Sequence, residues 1–387
     1  MEKIVRIIAR EILDSRGDPT VEVELETENS IRSIASAPSG ASVGSNEAVE
    51  LRDNDQNRYS GLGVTKAIES IRNTIGPALT GFDVEDQRGV DETMASLDGT
   101  THKSKLGANA ILAVSLAACK AGAVSKKIPL YQHIAQLAGN NQPTLPTPMF
   151  NFIEGAKHAD NNLAIQEFLV LTKADTFKER LRIGSELFHN LKKIIKNRGL
   201  DVAVGHEGGF APNLSGDEEA LKLLVESGAQ ELGLDMAGVT PNGLTLDYII
   251  SNYPMATIED PIEETNWEEW AQVTEKFASS HLIIGDDIFC TNTDRLKQGI
   301  EKKTANAVIV KPNQVGTVSQ TLDFVALAKQ NNYQLVASHR SGETEDTFIS
   351  DFAVGIGAQY AKFGAPSRGE RVAKYNRLLR IEEEIIG

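Results

Sequence analysis

The sequence predicts an α/β protein with a C-terminal β/α barrel over residues 143–387 and an N-terminal α+β capping domain over residues 1–138. Three observations carry this. Seven short apolar runs each end at an ionisable residue: AVGHE at Glu207, LGLD at Asp235, ATIED at Glu259, LIIGD at Asp286, AVIVK at Lys311, LVASH at His339 and YAK at Lys362. Those ends lie 23 to 28 residues apart, about the length of one strand–helix unit repeated. The runs are continuously apolar, as strands buried on both faces of a parallel sheet are. A closed barrel brings the C-terminal ends of its strands to one rim, so the spacing places acids, lysines and a histidine around one mouth. An open doubly wound sheet would explain the alternation but not the convergence.

Taken in order, residues 1–37 read as strands, with TVEVELE (Thr20 to Glu26) placing Val21, Val23 and Leu25 on one face. The small-residue stretch 38–45, PSGASVGS, reads as a mobile loop. Helical patterns dominate from about Gly63 to Leu137; Ala108–Ser125 is apolar nearly all round and predicts a buried helix. The Pro-rich PTLPTP at 143–148 marks the domain boundary. Beyond it, helices over Phe177–Arg198 and Gly216–Ser227 separate the apolar runs.

Composition narrows the function. The net charge of −15, without basic clusters, argues against nucleic-acid binding, which needs clustered Lys and Arg. An anionic substrate then needs local cations or bound metal. The two cysteines, Cys119 and Cys290, flank apolar runs and read as buried thiols, which favours a reducing, cytoplasmic setting. The N-terminus lacks a signal peptide's apolar core, and no run of about 20 apolar residues predicts a membrane span.

The residues at the mouth suggest chemistry. Asp235, Glu259 and Asp286 would repel one another unless a cation joined them; oxygen ligands suit Mg2+. Lys311 ends an apolar strand, where burial and a second cation, Lys362 or metal, would lower its pKa toward that of a general base. Glu207, in HEGGF, lies across the ring as a candidate acid. Arg340 and Ser341, in HRSG, could hold a phosphate or carboxylate. Gln166 and Glu167 end another apolar run, AIQEFLV, and His158 lies in the loop before it. A weakly acidic proton beside a carboxylate yields to a lysine base when cationic charge stabilises the ene-diolate.

Over nearly its whole length the sequence resembles the enolase family. The carrying segments are DSRGDPTVEVE, APSGAS, KSKLGANAILAVSLA, HADNNLAIQEF, GHEGGFAPN, IEDPIEE, GDDIFCTNT, KPNQVGT, SHRSGETED and RVAKYNRLLRIEEE. The resemblance implies two Mg2+ per active site, one on Asp235, Glu259 and Asp286 and a second helped by Ser42. It implies Lys311 as base, Glu207 as acid assisted by Glu167, and Lys362 near the substrate carboxylate. Arg340 and Ser341 would hold phosphate, and His158, Gln166 and His339 would line the pocket. The implied reaction dehydrates 2-phosphoglycerate to phosphoenolpyruvate, a glycolytic step. It also implies a homodimer or higher homo-oligomer, with Glu22 and Arg380 pairing across the interface.

The chain departs from the family at His206, beside the acid, where Asp is usual. Further departures are Glu154-Gly155-Ala156-Lys157 in place of an Asn-Gly-Gly loop, Val43 after Ser42, and Pro312 after the base. It is also shorter after Asp235 and at its C-terminus. Two alternatives therefore stay beside the dehydratase reading: a paralogue acting on another phosphate- or phosphonate-bearing acid, and a non-catalytic binding module.

Overall fold

A computed structural model describes residues 1–40, 46–239, 241 and 243–386. Ser42 and Val43 lie outside the described residues.

The chain opens with an antiparallel meander, β1 (Ile4–Leu13), β2 (Pro19–Thr27) and β3 (Arg32–Ser36). Val21, Val23 and Leu25 alternate inward on β2 and are fully buried, as the period-2 pattern predicts. They pack on helix Ala108–Ser125, of whose 18 residues 15 are buried. Its length and hydropathy alone would suit a membrane span, but here it is the core helix of the N-terminal unit. Both cysteines are buried free thiols.

Eight strands close the barrel: β4 (Thr147–Glu154), β5 (Glu167–Leu171), β6 (Glu231–Asp235), β7 (Met255–Glu259), β8 (Leu282–Gly285), β9 (Ala307–Val310), β10 (Gln334–Ser338) and β11 (Tyr360–Lys362). Two features correct the sequence reading. β5 runs antiparallel to both β4 and β6, while the other neighbours are parallel. Its connection from β4 carries only the short 3-10 turn Ala156–His158 rather than a crossover helix, so the chain returns as a hairpin does. Gln166 and Glu167 therefore stand before and at the start of a strand, not at its end, yet reach the same rim. The run AVGHE is not a barrel strand either. Val204 makes only an isolated bridge to Phe210, and Glu207 sits in the turn between them, in the segment joining helices Phe177–Asn197 and Asp217–Glu226.

The register forms one row at the rim: Glu154 pairs with Glu167, Glu167 with Asp235, and Asp235 with Glu259. Below it the lumen is apolar, filled by Met149, Leu169, Ile284, Ile309 and Val336. The N-terminal unit is pinned over the rim. Ser39 and Gly342 exchange backbone hydrogen bonds of 2.8 and 2.9 Å, and the Ala48 N–H donates to Gln314 O at 2.8 Å.

Candidate active site

The rim residues converge on one cleft, lined by His158, Gln166, Glu167, Glu207, Asp235, Asp286, Lys311, His339, Arg340, Ser341 and Lys362. All of these were expected from the sequence. Glu259 joins through Lys362, whose Nζ donates to both its carboxylate oxygens at 2.8 Å and to Asp235 Oδ2 at 3.1 Å, with Glu167 at 3.3 Å. Lys362 is buried, and although burial alone would lower its pKa, Asp235, Glu167 and Glu259 raise it well above the ordinary value. Gln166 Nε2 also donates to Asp235, at 3.3 Å.

Lys311 follows β9 and forms an ion pair with Asp286. This reverses the sequence expectation of a lowered lysine pKa. Burial does favour the neutral amine, but the Asp286 carboxylate in contact with Nζ outweighs it and holds the ammonium form. Asp286 also accepts from Gln314 Nε2 at 3.0 Å, and Thr291 Oγ1 accepts the Lys311 N–H at 3.0 Å. Thr291 keeps a left-handed φ of 50°, rare for a β-branched residue, while holding this contact and donating to Gln314 Oε1.

Across the cleft, β5 stands four strands from β9 in either direction around the ring, so Glu167 faces Lys311. Ligand atoms of His158, Glu167 and Glu207 lie within 4.8 Å of one another. Burial, then the charge of Glu207, pushes the Glu167 carboxyl well above the usual range. Burial pushes Glu207 the same way, but His339, His158 and Arg371 outweigh it and hold Glu207 well below. Glu207 accepts from Asn151 Nδ2 at 3.1 Å and bonds His339 Nε2 at 3.0 Å. The two carboxyls of this pair are thus pushed in opposite directions, Glu167 up and Glu207 down.

Arg371, from helix Gly369–Ile386, was not anticipated. Fully buried, it donates from Nη1 to His339 Nδ1 at 2.7 Å and to Arg340 O at 2.6 Å, and from Nη2 to Ser341 O at 2.6 Å. A guanidinium has no acceptor, so His339 Nδ1 must accept. His339 is then the neutral Nε2–H tautomer, donating to Glu207. Burial agrees, holding its pKa down to about 4.

Arg340, expected to clamp an anion, meets Glu47 at 2.8 and 3.3 Å and Asn313 Oδ1 at 3.1 Å. Glu47 follows the loop 38–45 and was also missed. So were Asp260 and Asp287, visible only as the second acids of IED and GDD. Asp260 accepts the N–H groups of Asp286 and Asp287 at 2.9 and 2.8 Å. Burial and then Asp286 push Asp287 up to about 7.

Three of the departures, His206, Ala156 and Glu154, lie near the acid pair, while Pro312 follows Lys311. His206 points to solvent, its ring centroid 6.5 Å from that of His158. Ala156 adopts a φ of 44°, a conformation glycine would take without strain. Glu154 is fully buried and accepts the Glu207 N–H at 3.0 Å; burial, then Glu207, pushes its pKa up to about 8. A Cβ on Gly205 would collide with this carboxylate, which explains the glycine there.

The site suits a hard cation. Seven carboxyl groups line the cleft (Glu47, Glu167, Glu207, Asp235, Asp260, Asp286 and Asp287) against the basic groups of Lys311, Lys362 and Arg340. The expected ligands are divided between two ammonium groups, Asp235 and Glu259 on Lys362 and Asp286 on Lys311. Among the described residues, ligand atoms of Asp260, Asp286 and Asp287 lie within 4.8 Å of one another. An all-oxygen donor set with surplus negative charge fits Mg2+.

Fold and site together define a barrel protein whose acidic mouth opposes lysines to carboxylic acids. The chain matches "Enolase, N-terminal domain" over residues 4–134 and "Enolase, C-terminal TIM barrel domain" over residues 142–242 and 239–387. It belongs to the enolase family, a family of lyase-type proteins that generally bind Mg2+.

Proposed function

We propose that the protein is a Mg2+-dependent hydro-lyase that dehydrates 2-phosphoglycerate to phosphoenolpyruvate. The observation that carries this reading is the facing of Lys311 and the Glu167/Glu207 pair across one buried cleft. Asp235, Glu259 and Asp286 would hold one Mg2+, with Ser42 helping a second; the bound metal supplies positive charge to the substrate carboxylate. Metal on Asp286 would compete with the Lys311 ammonium for that carboxylate, removing the contact that raises the lysine pKa. Lys311 then takes the proton beside the carboxylate. The proton for the departing hydroxide comes from the Glu167/Glu207 pair, with His158 and His339 beside it. Arg340 and Ser341 would orient the phosphate, and Lys362 the carboxylate end. Assembly as a dimer through Glu22 and Arg380 is part of this reading; Arg380 is exposed.

The test is Mg2+-dependent appearance of enolpyruvate ultraviolet absorbance from 2-phosphoglycerate. Turnover abolished by Lys311→Met supports the reading; metal binding without turnover overturns it. A second reading, another phosphate- or phosphonate-bearing acid, is favoured by one observation: Glu154, a departure from the family, lies directly against the Glu207 backbone. Under that reading, 2-phosphoglycerate is not turned over and another phosphate- or phosphonate-bearing acid is.

A further inference from the structure

Outside the catalytic cleft, a cavity of about 270 Å³ lies between the N-terminal unit and the barrel. It is lined by Lys103, Thr101, Thr291, Asn292, Gln314 and Gln320, among others. Lys103 is only 3% exposed. A buried ammonium ordinarily has a carboxylate partner. Lys103 has none within ion-pair distance among the described residues, and its Nζ donates to the neutral amide oxygen of Gln320 at 2.7 Å.

The charges of Asp98 and Asp91 reach Lys103 without ion-pair contact, and the acids that line the cavity, Asp323 and Asp294, are already engaged. Asp323 bonds Arg88 at 2.7 and 3.2 Å, and Asp294 bonds Lys297 at 2.9 Å. The backbone is shaped to hold the lysine in place. Lys103 keeps a φ of 54°, unfavourable for a side-chain-bearing residue, and Gly316 makes room for its stem: a Cβ there would lie 2.8 Å from Lys103 Cδ. Thr101 and Asn292 line the same cavity, whereas the Thr291 hydroxyl and the Gln314 amide are committed to the Lys311–Asp286 contacts.

We propose that this interdomain cavity is a second binding site, for a small oxyanion carrying a carboxylate or phosphate, with Lys103 as its charged anchor. The anion supplies the negative charge that Gln320 lacks. The reading is independent of the function proposed for the barrel mouth.

The test compares the wild-type chain with Gln320→Glu, which places an internal carboxylate against Lys103 without enlarging the side chain. Both are titrated calorimetrically with inorganic phosphate and, separately, with malonate; the two arms distinguish a phosphate from a carboxylate ligand. The expected result is that the wild type binds one more anion per chain than Gln320→Glu, or binds it at least tenfold more tightly, with Lys103→Met losing the same site. Equal stoichiometry and affinity in wild type and Gln320→Glu, for both anions, overturns the proposal. Because Gln320→Glu tests it without removing the buried lysine, a failure of Lys103→Met to fold leaves the test intact.

Discussion

The same eight strands build two regions of opposite character. The barrel lumen is a packed apolar floor of Met149, Leu169, Ile284, Ile309 and Val336, while a few residues along the same strands the rim holds Glu154, Glu167, Asp235 and Glu259 in one row. The floor follows the ordinary rule that burial selects apolar side chains. The rim breaks it; Lys311, Lys362, Arg340 and Arg371, with backbone N–H donors to Glu154 and Asp260, make so many buried acids tolerable. Removing a rim cation should reveal the cost of those acids.

The sharpest break in the comparison is Lys311→Ala. Activity should fall roughly 10²- to 10⁴-fold. Stability should change far less, because Asp286 keeps its Gln314 contact and can be protonated. Steady-state rates beside urea melts check both, and equal losses would merge the two regions. Next is Lys362→Met, which strands Asp235, Glu259 and Glu167 without their shared cation. We expect a loss of about 3–5 kcal/mol in urea unfolding without metal, partly recovered by Mg2+. On the floor, Leu169→Ala should cost about 2–5 kcal/mol while the folded fraction keeps its activity per molecule.

A smaller effect sharpens the rim itself. Burial, then the charge of Glu207, raises the Glu154 carboxyl in the folded state from the ordinary 4.5 to about 8. A raised carboxyl pKa gives the folded state the extra proton, so this stability is present at pH 4.5 and below and is lost as pH rises through about 8. The wild type should lose more unfolding free energy between pH 5 and pH 9 than Glu154→Gln; parallel curves would remove Glu154 from the account. The most local effect is at His339. Nitrogen NMR of the imidazoles should find its proton on Nε2 from pH 6 to 8 in the wild type and a mixture in Arg371→Lys. An Nδ1–H tautomer in the wild type would contradict the Arg371 contact.

Much of this was legible in the sequence, because parallel strands are short, apolar and evenly spaced. The runs ending at Asp235, Glu259, Asp286, Lys311, His339 and Lys362 are barrel strands with those residues at or just beyond their ends. The direction of β5 was not legible from periodicity, which is the same for either orientation. The short connection 155–166, with no helical pattern, was the available signal. AVGHE failed for a related reason: a brief apolar run looks alike in a strand and in a buried turn. Arg371 opens the segment RVAKYNRLLRIEEE but was given no role, since an arginine in an amphipathic helix ordinarily reads as solvated. The raised pKa of Lys311 was missed because its partner, Asp286, is 25 residues away in the chain and is brought beside it only by the pairing of neighbouring strands β8 and β9.

The most direct test is exchange of the C2 hydrogen of 2-phosphoglycerate in heavy water, followed by proton NMR. With Mg2+, the wild type should exchange this hydrogen, Glu207→Gln should still exchange it while failing to eliminate water, and Lys311→Met should do neither. Exchange that persists in Lys311→Met, or that is absent from the Mg2+-loaded wild type, would contradict the assignment of the lysine as the base facing the carboxyl pair.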